Sequence, residues 1–184
     1  SRRSLTVEDI IAFADEVDLD DVRAPIARQI EYNTAIAEAG LTGQYGAAIG
    51  KILLDSYGDS VQNRAKAWAA AGSDARMNGC EKPVVINSGS GNQGMTASLP
   101  VIEYARELNA TEDQLYRALL VSNLVTLHQK TGIGRLSAYC GAVSAGAGAG
   151  AGIAFLCGAD YETGAHTVIN AGAVTSGIVC DGAK

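Results

Sequence analysis

The chain has 184 residues, with 14 Lys and Arg against 20 Asp and Glu and a formal net charge of −6. That acidic balance, with no basic block, repels phosphate backbones and anionic lipid, so neither a nucleic acid nor a membrane surface is expected as a partner. Hydrophobic residues at 47% and charged residues at 18% describe a globular chain rather than a disordered one, and only 5% aromatic with 22 Gly means a core of Ala, Val, Leu and Ile in closely packed elements.

Ser1-Arg2-Arg3-Ser4 is basic, but the apolar run of a signal peptide does not follow it, so a cytoplasmic location is expected. Thr6, with Asp9 three residues on, has the spacing of a capping box and opens a helix over Val7–Val17, whose Val7, Ile10, Ile11 and Ala14 share a face. Asp20 or Asp21 can cap a second helix, with Pro25 in its first turn, Val22, Ile26, Ile30, Asn33 and Ala37 inward, and Gly40 and Gly43 at its end. Tyr45–Tyr57 and Val61–Met77 read as two further helices, the second carrying Ala67-Trp68-Ala69-Ala70-Ala71 for tight helix contact. Cys80-Glu81-Lys82-Pro83 is a turn, and Val84-Val85-Ile86 is the one short run suited to an extended segment. Ser88-Gly89-Ser90-Gly91-Asn92-Gln93-Gly94 is a polar, donor-rich loop ahead of a helix over Met95–Leu108. Thr111 with Gln114 is a second capping box, opening a central helix over Glu112–Lys130.

After Thr131 glycine and alanine dominate, and Leu136–Ala159 and Thr163–Cys180 carry no charge. Two such stretches suggest a membrane hairpin, but Gly, Ala and Ser gain little on transfer to lipid, and the mean hydropathy is only +0.09. Two buried helices are the expectation. Gly146, Gly148, Gly150 and Gly152 would each cost about 1 kcal/mol in a helix interior, a cost that close approach of backbones or of a ligand offsets. The whole chain, 1–184, is thus expected to be a single, mostly α, compact helical domain with Gly/Ala-rich buried helices.

The four cysteines, Cys80, Cys140, Cys157 and Cys180, form no C-x-x-C pair, which excludes a zinc knuckle or ferredoxin motif. A single cysteine can be simply a small buried hydrophobe, and Cys157 in Phe155-Leu156-Cys157-Gly158 fits that reading. Cys140 before Gly141 and Cys180 before Asp181-Gly182 instead sit where glycine lets the backbone close around a bulky inorganic group. The Ser88–Gly94 loop can cradle an anion at a helix N-terminus or be a plain turn; it lacks both the G-x-G-x-x-G and the P-loop spacing. Lys130 and Arg135 can pair with a carboxylate, although a lysine at a helix C-terminus is also explained by the dipole. His128 reads as a hydrogen-bonded core histidine or as a base, and His166 as structural. Asp181 either orients a ligand or caps a turn.

Asn87–Met95, Ser137-Ala138-Tyr139-Cys140-Gly141 and Gly177-Ile178-Val179-Cys180-Asp181-Gly182-Ala183-Lys184 together resemble, in order and over most of the chain, the serine dehydratase-like α-chain family, nearest its L-cysteine desulfidase branch. The resemblance implies a mostly helical fold and a [4Fe–4S] cluster held by three cysteines, with one iron left open as a Lewis acid. It also implies β-elimination from a small amino acid, L-cysteine or L-serine, to pyruvate and ammonia. Cys140 and Cys180 match the first two ligands, and the third is expected beyond Lys184. Ser88, Gly89, Ser90, Gly91, Asn92, Gln93, Lys130 and Arg135 are the implied substrate contacts; the general base is not identified. Family members are about twice as long, so the chain is expected to be truncated at both ends, to need the remaining part of its own polypeptide, to be inactive alone, and to be a possible homodimer. The alternative to a lyase is a metal-free, non-catalytic helical domain that binds a small molecule through the glycine-rich loop; a scaffold built on the small-residue helices is the third reading.

Overall fold

The computed structural model describes residues 5–134, 137–175 and 178, and those residues form eight helices and no strand. α1 (Val7–Glu16) opens on the Thr6–Asp9 capping box, with both reciprocal bonds made, and buries Ile10 and Ala14. α2 (Leu19–Thr42) is capped by Asp18 rather than by Asp20 or Asp21, because the Asp18 carboxylate accepts from the Asp20 N–H at 3.1 Å. The helix therefore starts earlier than expected, and Pro25 lies inside it, on the exposed side, instead of in its first turn. Gly40 does not end α2. It lies within the helix, where a Cβ would come 2.6 Å from the Ala71 carbonyl carbon. Its missing side chain lets α2 lie directly on the Ala-rich stretch of α4 (Val61–Met77).

α3 is only Ile49–Tyr57, shorter than the expected helix from Tyr45. Gly46 (φ +55) and Ala48 (φ +52) are left-handed, which stops helix propagation, and the Asp74 carboxylate on α4 caps the Ile49 N–H at 2.8 Å. After α4 the chain crosses in extended form through Val84–Ile86. The Asn33 side chain of α2 holds Val85 at both its N–H (2.8 Å) and its C=O (3.2 Å), so a side chain stands where a neighbouring strand would be.

α5 (Gly91–Glu107) begins earlier than expected from Met95, because Ser90 caps it through the Gln93 N–H. α5 packs on α2, α4, α6 and α7, and Met95, Leu99, Val101 and Ile102 are almost wholly buried. α6 (Glu112–Ile133) starts on the Thr111–Gln114 capping box and lies against α1, α2, α5 and α7. α7 (Gly141–Leu156) is the buried Gly/Ala helix. Gly148 and Gly152 face α6, where a Cβ on Gly148 would lie 2.6 Å from the Ser122 carbonyl oxygen and one on Gly152 2.7 Å from that of Ala118. α8 (Tyr161–Thr175) covers α7 on one side and leaves Ile169 and Val174 open, so it is not enclosed on all sides. No helix among the described residues is long and apolar enough to cross a membrane.

The four α7 glycines divide by what surrounds them. Gly146 is exposed, with nothing within 4 Å of a Cβ placed there. Gly146→Ala is therefore expected to raise stability by about 0.5–1 kcal/mol, since alanine restricts the unfolded chain and clashes with nothing. Chemical denaturation of the two proteins side by side checks it; a loss of stability would show that this face of α7 is covered.

Candidate anion and thiol site

Three helix ends meet. The first is the N-terminus of α5. Asn87 and Ser90 exchange both backbone hydrogen bonds at 3.1 Å, and Ser88 (φ +50) and Gly89 (φ +91) between them make a two-residue turn of the left-handed kind. The Ser88–Gly94 segment is thus a tight turn feeding straight into a helix, with Ser90 as its cap, rather than an open loop. That turn delivers Gln93, 1% exposed, into the interior. Gly94 allows it, because a Cβ there would come 3.0 Å from two backbone atoms of Ile86.

The second end is the C-terminus of α6, which carries Lys130, 9% exposed. None of the ion pairs among the described residues involves Lys130. The ammonium of so largely buried a lysine, with no carboxylate partner among the described residues, is available to an anion. The third end is the N-terminus of α7, where Cys140 is the N-cap residue, no side chain caps the helix, and Gly141 is the first helical residue.

Gly141 joins these three ends. A Cβ on it would overlap the Gln93 carboxamide oxygen and lie 3.6 Å from Lys130 Nζ. The Gln93 Nε2 is buried and has no hydrogen-bond partner. The Gln93 carboxamide, with its oxygen nearest Gly141 and its Nε2 unpaired, the Lys130 ammonium and backbone N–H groups that no side chain caps thus lie at one corner. Such a set favours a carboxylate-sized anion through direct hydrogen bonds, and the α7 dipole adds to it.

Beside this cluster lies a cavity of about 410 Å³. Cys140 stands on its wall together with Gln129, Ser144 and Tyr139, and Ile133, Val143, Ala147 and Ile178 make much of the remainder. Among the described residues no lining side chain is charged. Cys140 is a free thiol, and its backbone N–H donates to the Ile178 carbonyl at 3.2 Å. Ile178 stands two residues before Cys180 in the chain.

Of the residues expected from sequence, Gln93, Lys130 and Cys140 come together. Ser90 serves as a helix cap, Ser88 donates to the Asn87 side chain at 2.8 Å, and Gly89 and Gly91 shape the backbone. Asn92 turns away to accept from Arg76 at 3.2 Å. Arg135 and Cys180 lie outside the described residues, as does Asp181. Cys157 is the exposed C-cap of α7, about 25 Å along the helix from Cys140. Cys80 packs against the core beside Tyr45, whose hydroxyl it pushes above the usual phenol range, mainly through their hydrogen bond. His128 is half-buried, and its Nδ1 has no hydrogen-bond partner. His166 is exposed on α8.

Two contributors were missed. The sequence marks Gly141 only as a place where the backbone can close, not as the meeting point of Gln93 and Lys130. Arg76 was not singled out, although it spans the α5 N-terminus: a Cβ on Gly91 would lie 2.7 Å from its Cδ. No local motif announces Arg76; the Ser90-x-x-Gln93 spacing, by contrast, is a capping signature that could have placed the helix start and Gln93.

The chemistry of the donor set bears on a cluster. Among the described residues no three His, Cys, Asp or Glu side chains come together as a metal site, but Cys140 fits one corner of one. It is a free thiol at a helix N-terminus that no side chain caps, on a cavity wall whose described lining carries no charge.

Comparison with known proteins gives a consistent picture. The family model described as serine dehydratase alpha chain matches residues 3–184. A UPF0597 protein of Desulfitobacterium hafniense is 66% identical over 183 residues, covering 100% of this chain and 43% of that protein. UPF0597 proteins of Lachnoclostridium phytofermentans and Finegoldia magna are 61% and 53% identical, each over 98% of this chain and 43% of the relative. The chain thus spans less than half the length of these curated relatives. No solved structure matches it.

Proposed function

Because the chain belongs to the serine dehydratase alpha chain family, we propose that it forms the cluster-holding, carboxylate-binding part of a cytoplasmic iron–sulfur lyase that eliminates the β-substituent of L-cysteine or L-serine. The observation that carries the reading is the convergence of buried Gln93 and Lys130 on Gly141, one residue from a free cysteine on a cavity wall.

Lys130 Nζ and Gln93 Nε2 take the substrate carboxylate, and the free N–H groups of the first α7 turn complete its coordination. Fixing the carboxylate there orients Cα and the β-substituent toward the Cys140 wall, which converts encounter into alignment. The aliphatic part of the cavity limits water near the reacting atoms. Cys140 holds one corner of a [4Fe–4S] cluster, and Cys180 is the second proposed ligand. Ile178, hydrogen-bonded to Cys140, is two residues from Cys180, a chain length of at most about 7 Å. When bound, the cluster would supply a Lewis acid able to stabilise the negative charge of the departing thiolate or hydroxide. A reducing compartment keeps such thiols available. The rest of the polypeptide, by the length of the relatives, supplies further ligands and the general base.

The test is anaerobic reconstitution of the full-length protein with iron and sulfide, followed by pyruvate measurement with L-cysteine and with L-serine. A brown protein that makes pyruvate from either supports the lyase. A colourless protein that binds the amino acid without turnover would replace it with a metal-free binding domain.

A further inference from the structure

Resting on the carboxylate site just proposed, we infer that Asn123 is a positioning residue that sets where the α5 N-terminus, and with it Gln93, stands relative to Lys130. Asn123 makes no hydrogen bond to Gln93, Lys130 or Gly141. It lies on α6, and its side-chain hydrogen-bonding capacity is fully used. Its Nδ2 donates to Gln29 Oε1 at 2.7 Å and to the Leu119 carbonyl at 2.8 Å. Its Oδ1 accepts from Gln29 Nε2 at 3.0 Å and from Asn87 Nδ2 at 2.9 Å. Asn87 Nδ2 also reaches the Asn123 carbonyl at 3.2 Å, and Asn87 Oδ1 accepts from Ser88 Oγ at 2.8 Å.

The chain of bonds therefore runs from α2, through α6, to the turn residue Ser88, which holds a left-handed φ of +50 that a serine adopts at a cost. Every amide in the chain has its orientation fixed by the next, so reversing one breaks several bonds at once. The turn in turn sets Ser90, the cap of α5, and Gln93 follows three residues later. Asn123 and Lys130 are seven residues apart, two helical turns, and so lie on one face of α6 about 10 Å apart. One helix thus carries both the anchor of the Gln93-bearing turn and the cation that Gln93 faces. The spacing between the two carboxylate donors is set by α6 itself.

The full-length protein tests this with Asn123→Asp, which keeps size and shape but loses both Nδ2 donors, and with Gln29→Ala at the far end of the chain. Hydrogen exchange is read on peptides covering 84–95 and on peptides of α4 and α7, and KM and kcat are read with L-cysteine or L-serine. The expected result is exchange at least ten-fold faster in 84–95 alone, with KM raised about ten-fold and kcat changed far less. Gln29→Ala should give the same pattern more weakly. Unchanged exchange in 84–95, equal acceleration in all peptides, or a shifted 84–95 with unaltered KM in an active protein would each overturn the assignment. A wild-type protein that takes up no substrate would refute the carboxylate site itself, while the exchange arm still decides whether Asn123 holds the turn.

Discussion

Lys130→Met in the full-length protein is expected to lower kcat/KM for the amino-acid substrate by about 100-fold, equivalent to about 3 kcal/mol, which is the scale of a charge-assisted hydrogen bond to a carboxylate in a buried site. Methionine keeps the unbranched, apolar stem, so packing at the end of α6 changes little. Lys130 is 9% exposed and has no carboxylate partner among the described residues, so removing its ammonium leaves no stranded anion among them. The carboxylate is already charged in the bound substrate, so most of its binding is shared by ground and transition states, while loss of the α-proton adds negative charge beside it. The loss should therefore appear mainly in KM, with a smaller fall in kcat. Steady-state kinetics with both substrates reads it; a normal KM in the methionine variant would remove Lys130 from the site.

The second large effect concerns stability. Gly148→Val should destabilise the protein by about 3 kcal/mol or more, at the upper end of overpacking substitutions. A Cβ at position 148 would lie 2.6 Å from the Ser122 carbonyl oxygen and 3.1 Å from the Thr126 backbone N, and would overlap the Thr126 hydroxyl. Two of these obstacles are main chain within α6, so relief requires α6 and α7 to separate. Separation also moves Cys140 and Gly141, at the start of α7, away from Lys130, at the end of α6. At about 2–4 °C per kcal/mol for a domain of this size, the expected fall in Tm is about 10 °C. Thermal unfolding followed by circular dichroism checks it, and the contrast with Gly146→Ala, two residues away and of opposite sign, separates helix packing from intrinsic helix propensity.

What the sequence disclosed follows the range of the interactions. The capping boxes at Thr6–Asp9 and Thr111–Gln114 are local, and α4 begins and ends at the residues its periodicity marks. The start of α3 was hidden because its cap, Asp74, comes from 25 residues away. Gly40 looked like a helix terminator and is a contact glycine, a distinction that only the position of the Ala71 backbone makes. Asn33 falls on the inward stripe that helical periodicity marks on α2, but Gln29 and Asn123 are polar residues that periodicity alone leaves at the surface; the bonds they exchange across α2 and α6 are tertiary. At the site, Gln93, Lys130 and Cys140 were named from motif and resemblance, and the fold brings them to one corner. Their convergence on Gly141 is tertiary and has no counterpart in the linear pattern. Asn92 shared the motif but faces Arg76 instead.

The central claim is that Cys140 is a cluster ligand. Iron and acid-labile sulfide, measured after anaerobic reconstitution of the full-length wild type and of Cys140→Ser, Cys80→Ser and Cys157→Ser, test it most directly. A full cubane should be retained by wild type and by the Cys80 and Cys157 variants and lost from Cys140→Ser together with the visible absorption. Wild-type iron and sulfide content in Cys140→Ser would contradict the account.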